Sequence, residues 1–275
     1  MEAGILYLVP TPIGNLGDMT YRAVEVLKSV ELIACEDTRT SLKLLNHYEI
    51  RNKLVSYHKF NEAKQTQALL EQLKSGSSVA LITDAGTPAI SDPASHLVSA
   101  VIRENIIVTC LPGATAFVPA LAASGLDTHS FTFAGFLPLK AKERKAILQK
   151  LSQAEQTVIL YEAPHRLDET LDELISYFGD RRAVIARELS KLHETFYRGT
   201  LTELKTMQID PRGEFVLLIS GAMEKELTDT ELTSLIKSKI KQGWEGKELI
   251  QALTSETNIS RNRLYKLYLT VKKES

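Results

Sequence analysis

The side chains able to do chemistry in this sequence gather in a few short runs. The densest is Asp84-Ala-Gly-Thr-Pro-Ala-Ile-Ser-Asp-Pro93. Asp84, Thr87, Ser91 and Asp92 supply carboxylates and hydroxyls, and Gly86, having no Cβ, lets a ligand approach the backbone. Pro88 and Pro93 fix φ, so ordering the loop around a ligand costs less entropy. Such a loop suits a polar organic ligand. Its Ser-Asp-Pro end also reads as an ordinary helix start, with Ser91 or Asp92 as N-cap and Pro93 at the first helical position.

Five other runs bear on the chemistry. Glu36-Asp37-Thr38-Arg39 is either a helix start with carboxylates near its positive end or a substrate contact, Arg39 pairing with Asp37 or meeting a phosphate bidentately. Glu162-Ala-Pro-His165-Arg166 and Arg187-Glu188-Leu-Ser-Lys191 bring acids, bases and cations together. Singly these residues read as solvated faces or ion pairs. Jointly, Glu162, His165 and Lys191 are candidates for moving a proton, while Arg39, Arg166 and Arg187 suit phosphates. Thr115, after Pro112-Gly113, reads first as a helix cap. Pro10-Thr-Pro-Ile-Gly-Asn15 is neither a Gly-x-Gly-x-x-Gly fingerprint nor a Walker A loop, so phosphate cradling is not expected there. Glu-x-x-His alone does not specify a metal site, and no His-Glu-x-x-His occurs.

These runs sit at the ends of short apolar stretches. Val79 to Ile82 has the pattern of a buried strand, and Ala94 to Arg103 carries Leu97, Val98, Val101 and Ile102 at helical spacing. In open parallel sheets ligands bind beyond the carboxyl ends of strands, where the Asp84 loop falls. Ile5 to Val9, Leu32 to Cys35, Lys53 to Tyr57 and Ile106 to Thr109 read as further strands. Helices are expected through Val30, capped by Asp18 or Thr20, over Glu62 to Lys74, and from Pro112-Gly113 to Ala123. Strand–helix alternation indicates an α/β domain with a mainly parallel sheet.

Around Ser124 to His129 the pattern pauses, as at an interdomain linker. Strands resume at Phe131 to Ala134, Thr157 to Tyr161, Ala183 to Ala186, Thr195 to Gly199 and Phe215 to Ser220. Helices are expected over Leu139 to Lys150, which is basic, and Leu167 to Phe178. Two of these strands are close together in sequence, so the second sheet is expected to be mixed. From Leu227 only helical patterns remain: Thr230 to Gln242, Gly246 to Thr254 and Ser260 to Val271. The Thr257-Asn-Ile-Ser260 turn before Arg261, Arg263 and Lys266 suggests a helix-turn-helix-like module. A plain helical appendage is the other reading.

At 275 residues, with 44% hydrophobic content, the chain is long enough for two domains with real cores. A net charge of −1 argues against wholesale polyanion binding but leaves room for a local basic patch. No apolar run reaches bilayer-spanning length. Cys35 and Cys110 lie far apart without metal spacing and are expected as free thiols in a reducing cytoplasm.

The Asp84–Pro93 run resembles the signature loop of the tetrapyrrole-methylase superfamily, which uses S-adenosylmethionine. Further matches, in order, are Tyr7-Leu-Val-Pro-Thr-Pro-Ile-Gly-Asn-Leu-Gly-Asp18, Cys35-Glu-Asp-Thr-Arg39, Leu111-Pro-Gly-Ala114, Gly135-Phe-Leu-Pro138, Tyr161-Glu-Ala-Pro-His-Arg166 and Ala186-Arg-Glu-Leu-Ser-Lys191. They span essentially the whole chain and are most similar to the branch that 2′-O-methylates a cytidine of small-subunit ribosomal RNA. Pro-Thr-Pro at 10–12 departs from the glycine-rich, porphyrinoid-methylating members. After Ser-Asp-Pro the family usually has glycine where this chain has Ala94. Ala would be strained if that position needs φ > 0 and favourable if it opens the helix; the second case is expected.

The resemblance implies an α/β fold: two α/β domains of the tetrapyrrole-methylase type, distinct from the Rossmann-like methyltransferase fold, with a small helical C-terminal module. The boundaries are 1–126, 127–224 and 225–275. It implies cofactor contacts from Ile13, Asp84, Ala85, Gly86, Thr87, Ile90, Thr115, Ala116, Glu162 and Leu189. It further implies RNA contacts from Arg39, Arg166 and Arg187, a homodimer, and no metal, because the methyl donor is already activated. The expected reaction is S-adenosylmethionine-dependent 2′-O-methylation of a decoding-region cytidine in 16S ribosomal RNA in the cytoplasm. The rival readings are methylation of a tetrapyrrole or other small molecule, and a non-catalytic RNA- or ribosome-binding module.

Overall fold

A computed structural model of the protein describes residues 3–91, 94–222, 228–257 and 259–273. Asp92 and Pro93, the expected cap and first helical residue, and Asn258 of the C-terminal turn lie outside the described residues.

The first half alternates strand and helix: β1 (Leu6–Leu8), α1 (Tyr21–Ser29), β2 (Leu32–Cys35), α2 (Thr38–His47), β3 (Leu54–Ser56), α3 (Glu62–Lys74), β4 (Val79–Ile82), α4 (Ala94–Arg103), β5 (Val108–Cys110) and α5 (Phe117–Ser124). The strands form one fully parallel sheet in the order β3-β2-β4-β1-β5. β4, near its middle, is buried at every residue, as a strand covered on both faces must be. Side chains alternate between two cores. Leu6, Leu8, Val79 and Leu81 meet α3 and α4 residues such as Leu69 and Leu97. Val9, Ile33, Ala80 and Ile82 meet Ala23, Leu27 and Leu45 of α1 and α2. Thr20 caps α1 through the amide of Ala23 at 3.1 Å, and Ala94 opens α4, buried. The departure from glycine there therefore meets helix, not strain.

The second half contains β6 (Phe131–Phe136), α6 (Ala141–Leu151), β7 (Thr157–Glu162), α7 (Leu167–Phe178), β8 (Arg182–Arg187), β9 (Thr195–Thr200), α8 (Leu201–Thr206) and β10 (Phe215–Ile219). Its sheet runs β6-β7-β10-β8-β9, with β6 and β7 parallel and the remaining pairs antiparallel, a mixed sheet as expected. Residues through Ala222 make one compact unit containing both sheets.

Two expectations are corrected. Residues 112–116 do not open a helix; α5 starts at Phe117 with Ala116 as an N-cap whose side chain makes no capping bond. Thr87 Oγ1 donates to the carbonyl of Ala114 at 2.9 Å, so this backbone is held by the Asp84 loop instead. The pause at 124–129 is not a free linker: Thr157 Oγ1 donates to the Asp127 carbonyl at 2.7 Å, and the Arg198 guanidinium donates to the carbonyls of Ala123 and Ser124. Within the basic helix α6, Arg144 is buried. Helix α2 begins at the helix start read at Glu36 to Arg39, with Asp37 as its N-cap; α8 was not expected, and the capping box of Thr200 and Glu203 is its local signal.

The remaining unit is three helices, α9 (Asp229–Lys241), α10 (Gly246–Thr257) and α11 (Arg261–Lys273). Its own core joins Leu232, Ile236, Leu249, Leu253, Leu264 and Tyr268. Arg263 pairs with Asp229 at 2.9 Å. Among the described residues no helix is long and apolar enough to cross a membrane.

Cys35 is fully buried in β2, where burial pushes its thiol pKa up, whereas Cys110 is exposed at the end of β5. A thiol titration of the native protein is expected to count one reactive cysteine and, after denaturation, two. Cys110→Ser should abolish the native signal; Cys35→Ser should leave it.

Candidate functional site

The site begins where β4 ends. Thr83 and Asp84 leave the carboxyl edge of the parallel sheet, and the loop is pinned to the loop after β1 by a two-way backbone bridge. The Thr11 amide donates to the Gly86 carbonyl at 2.9 Å, and the Gly86 amide donates back at 3.0 Å. Thr11 Oγ1 adds a bond to the Thr83 carbonyl at 2.9 Å. Gly86 sits at φ +85°, a conformation costly for any residue with a Cβ.

Across from this edge stands the second sheet. Ile13, carried past the bridge by the β1 loop, packs with Ala120 and Leu121 of α5 on a face formed by Ile159, Val184, Val216 and Leu218, beside Leu189. The turn after β8 reaches back: Ser190 Oγ bonds the Asp18 carboxylate, and the Lys191 stem lies over Gly14 so closely that a Cβ would stand 2.3 Å from its Cγ. Between the two sheets lies a cavity of about 470 Å³, within the range of small-molecule and cofactor sites. All ten residues expected to contact a cofactor line it, from both halves of the chain.

The cavity wall includes residues that sequence reasoning missed. Tyr161 stacks edge-on against Phe133 and Phe136. Burial pushes its hydroxyl pKa up, opposed by hydrogen bonds from Thr115 and from the amides of Phe117 and Ala116. Thr115 thus serves the cavity and not a helix cap. Glu214, Phe215 and Val216, at the start of β10, complete the wall with Glu36 and Thr83. The apolar run of β10 was visible as a strand, but nothing local marks which of its ends faces a ligand.

The charges are sorted. Glu36 and Asp84 are exposed at the cavity's edge. Glu36 accepts from Thr83 Oγ1 at 3.0 Å, and Asp84 from the Asp37 amide at 3.3 Å. Burial, then the Glu36 charge, raise the Asp84 carboxyl above the usual range. Glu162 also lines the cavity but is 2% exposed, and both its oxygens are engaged: Oε1 by the Ala163 amide at 2.8 Å, Oε2 by Thr170 at 2.6 Å. These bonds fix the carboxylate in the wall and leave each oxygen a second lone pair.

The other candidates lie outside the cavity wall. Lys191 bonds Glu188 and Glu214 at 2.8 and 2.9 Å. Burial alone would lower its pKa, but the two carboxylates outweigh this and hold the ammonium above its ordinary value, unlike a general base. His165 is exposed in a single turn beside Pro164, which does line the cavity. Arg39 projects into solvent, 88% exposed, and grips Asp37 with two bonds, holding that carboxyl at about 2. Arg166 is largely buried beside Glu162. Arg187 is corrected outright: 9% exposed, it donates to the Arg212 carbonyl at 2.8 Å, to Asp210 at 3.0 Å and to the His193 carbonyl at 3.5 Å. Its guanidinium braces loops and is not offered to a phosphate.

A family model for Tetrapyrrole (Corrin/Porphyrin) Methylases matches residues 5–205. The chain belongs to the tetrapyrrole methylase family. It is 48% identical to the ribosomal RNA small subunit methyltransferase I of Synechocystis sp., over 97% of this chain and 98% of that protein. It is 43% identical to the enzyme of that name from Bacillus subtilis, over 97% and 94%. Among solved structures, diphthine synthase superposes with a TM-score of 0.64 at 14% identity, covering 79% of this chain and 90% of that one. Uroporphyrin-III-C-methyltransferase of Thermus thermophilus gives 0.56 at 23%, covering 79% and 94%. Both solved structures thus share the fold at low identity, and the likeness covers 79% of the chain.

Two outcomes follow from the charges. Arg187→Leu should destabilise the protein, chiefly because it leaves the Arg212 and His193 carbonyls without their guanidinium donor while Asp210 keeps Arg212; urea unfolding measures this. Asp84 binds its proton more tightly folded than unfolded, so its ionisation lowers stability as pH rises from the unfolded through the folded pKa. Asp84→Asn should therefore raise the melting temperature at neutral pH, with the gain shrinking near about pH 4, where the unfolded carboxyl titrates. A gain that grew with acidity would contradict the raised pKa.

Proposed function

We propose that this chain transfers a methyl group from S-adenosylmethionine to the ribose 2′-oxygen of a decoding-region cytidine in 16S ribosomal RNA. The observation that carries the reading is the match, end to end, to relatives named ribosomal RNA small subunit methyltransferase I. Cavity size and lining fit the cofactor: small and apolar groups for an adenosine, backbone and hydroxyl groups to read its edge. A structural neighbour from Thermus thermophilus is described as complexed with S-adenyl homocysteine, at a TM-score of 0.54 and 19% identity over 79% of this chain and 97% of that one.

When bound, S-adenosylmethionine supplies a methyl already activated on a sulfonium. The protein's part is to orient the two reactants and exclude water. Ile13, Gly86, Thr87, Thr115, Ala116 and Leu189 would hold the cofactor. Removal of the hydroxyl proton falls to Glu162 in the cavity wall, to Glu36 or Asp84 at its edge, or to His165 beside Pro164, while Lys191 is held as an ammonium by Glu188 and Glu214. Arg39 is the expected cation best placed in solvent to meet a phosphate, at the cost of its Asp37 pair.

The same reading assigns residues 1–126 and 127–224 to the two faces of the cofactor site and takes 225–275 as a helical, helix-turn-helix-like module. It takes the working form as a homodimer in the cytoplasm, where small ribosomal subunits are met.

The test is methyl transfer from labelled S-adenosylmethionine to small subunits lacking their usual modifications. Label recovered in an alkali-resistant dinucleotide, the sign of a blocked 2′-oxygen, is the expected result. Cofactor binding without RNA label would turn the reading to a small-molecule methyltransferase.

A further inference from the structure

A buried polar network stands behind the cavity wall. Arg144 of α6, 6% exposed, donates through Nε to Glu173 at 2.5 Å and through Nη2 to Thr170 Oγ1 at 2.8 Å. Thr170 Oγ1 lies 2.6 Å from Glu162 Oε2, and Arg144 Nη2 lies 4.0 Å from the same oxygen. Arg166 Nε is 3.7 Å from Glu162 Oε1. Arg144 Nη1 is buried with no partner among the described residues. Of these five side chains only Glu162 lines the cavity.

The direction of each bond is forced. A guanidinium has no acceptor, so the proton between Arg144 and Thr170 belongs to arginine. The single hydroxyl proton of Thr170 is then left for Glu162, and a chain of this kind polarises each of its members. Holding a carboxylate this far from water is costly unless its lone pairs are met. Here the amide of Ala163 and the hydroxyl of Thr170 meet them on the protein side. Glu36, Asp84 and Glu214 also line the cavity but are exposed to water, whereas Glu162 is 2% exposed, so its charge is the least screened of the four.

We infer that Thr170 and Arg144 are positioning residues for Glu162, fixing its carboxylate in the cavity wall so that the site favours the sulfonium cofactor over its neutral-sulfur product. The inference rests on the methyltransferase reading. Methyl transfer moves the cofactor's sulfonium charge to none, because the bond from sulfur to methyl breaks with its electron pair left on sulfur. The attacking oxygen forms the new bond and its proton leaves to solvent through a base. The product therefore loses its attraction to Glu162 at the moment it must depart.

Calorimetry on the full chain, with S-adenosylmethionine and S-adenosylhomocysteine as probes, tests this. Thr170→Val keeps the volume and removes the hydroxyl; it should weaken S-adenosylmethionine about tenfold, the scale of one hydrogen bond to a charged group, and S-adenosylhomocysteine much less. Thr170→Ser should stay within about twofold of the parent. Glu162→Gln should erase the preference between the two probes. An unchanged preference in Thr170→Val or Glu162→Gln, or an equal loss in Thr170→Ser, would overturn the inference. A parent chain that binds neither probe would overturn the methyltransferase reading and this inference with it.

Discussion

Everything in the site depends on two backbone bonds between Thr11 and Gly86. They tie the loop after β1 to the loop after β4, strands that are neighbours in the parallel sheet. With those two loops joined, Ile13 is carried out to the second sheet, and Asp84, Ala85 and Thr87 are left facing the space between. Thr87 then bonds the Ala114 carbonyl and brings in a third loop. One bridge thus aligns three strand ends, because buried backbone groups must find partners and Gly86 alone accepts the φ that the geometry demands.

Around this bridge the protein tolerates local costs. Ala89 and Ser91 in one loop, and Glu188 and Ser190 in the loop opposite, adopt left-handed φ values of 52° to 69°, each unfavourable by about 1 kcal/mol or more for a residue with a Cβ. Asp84 is kept near two other carboxylates, and Arg144 is buried with an unmet donor. The large cores on both sides supply the surplus: fully buried Leu, Ile and Val residues face α1 to α4 in one half and α6 to α8 in the other. Strain and charge sit on the loops, apolar packing beneath them, and that division is what lets a shaped polar cavity persist.

Much of this was legible in the sequence, for identifiable reasons. Val79–Ile82, Glu62–Lys74 and Leu167–Phe178 carry periodicities that depend only on burial, and they form at those bounds. The ten expected cofactor residues converge because a parallel sheet brings all its carboxyl ends to one edge. What was not legible depends on long-range partners. Nothing near Arg187 reveals that Asp210 and two carbonyls will claim it. Nothing near Lys191 announces that Glu214 will hold its charge, and Arg144 looks like one more cation in a basic helix until α7 places Thr170 and Glu173 against it. The start of the helix expected at Pro112-Gly113 was displaced to Phe117 likewise, since Thr87 and Tyr161 hold the preceding segment from a distance.

The central claim is that the cavity between the two sheets is the cofactor site, built jointly by loops 83–91, 113–117 and 187–191. Amide hydrogen exchange with and without S-adenosylhomocysteine tests it most directly, because it reads each loop separately and needs no RNA. Protection is expected in all three loops together, and at the ends of β7 and β10, with little change in α9 to α11. Protection confined to one loop, or centred on the C-terminal helices, would contradict the account.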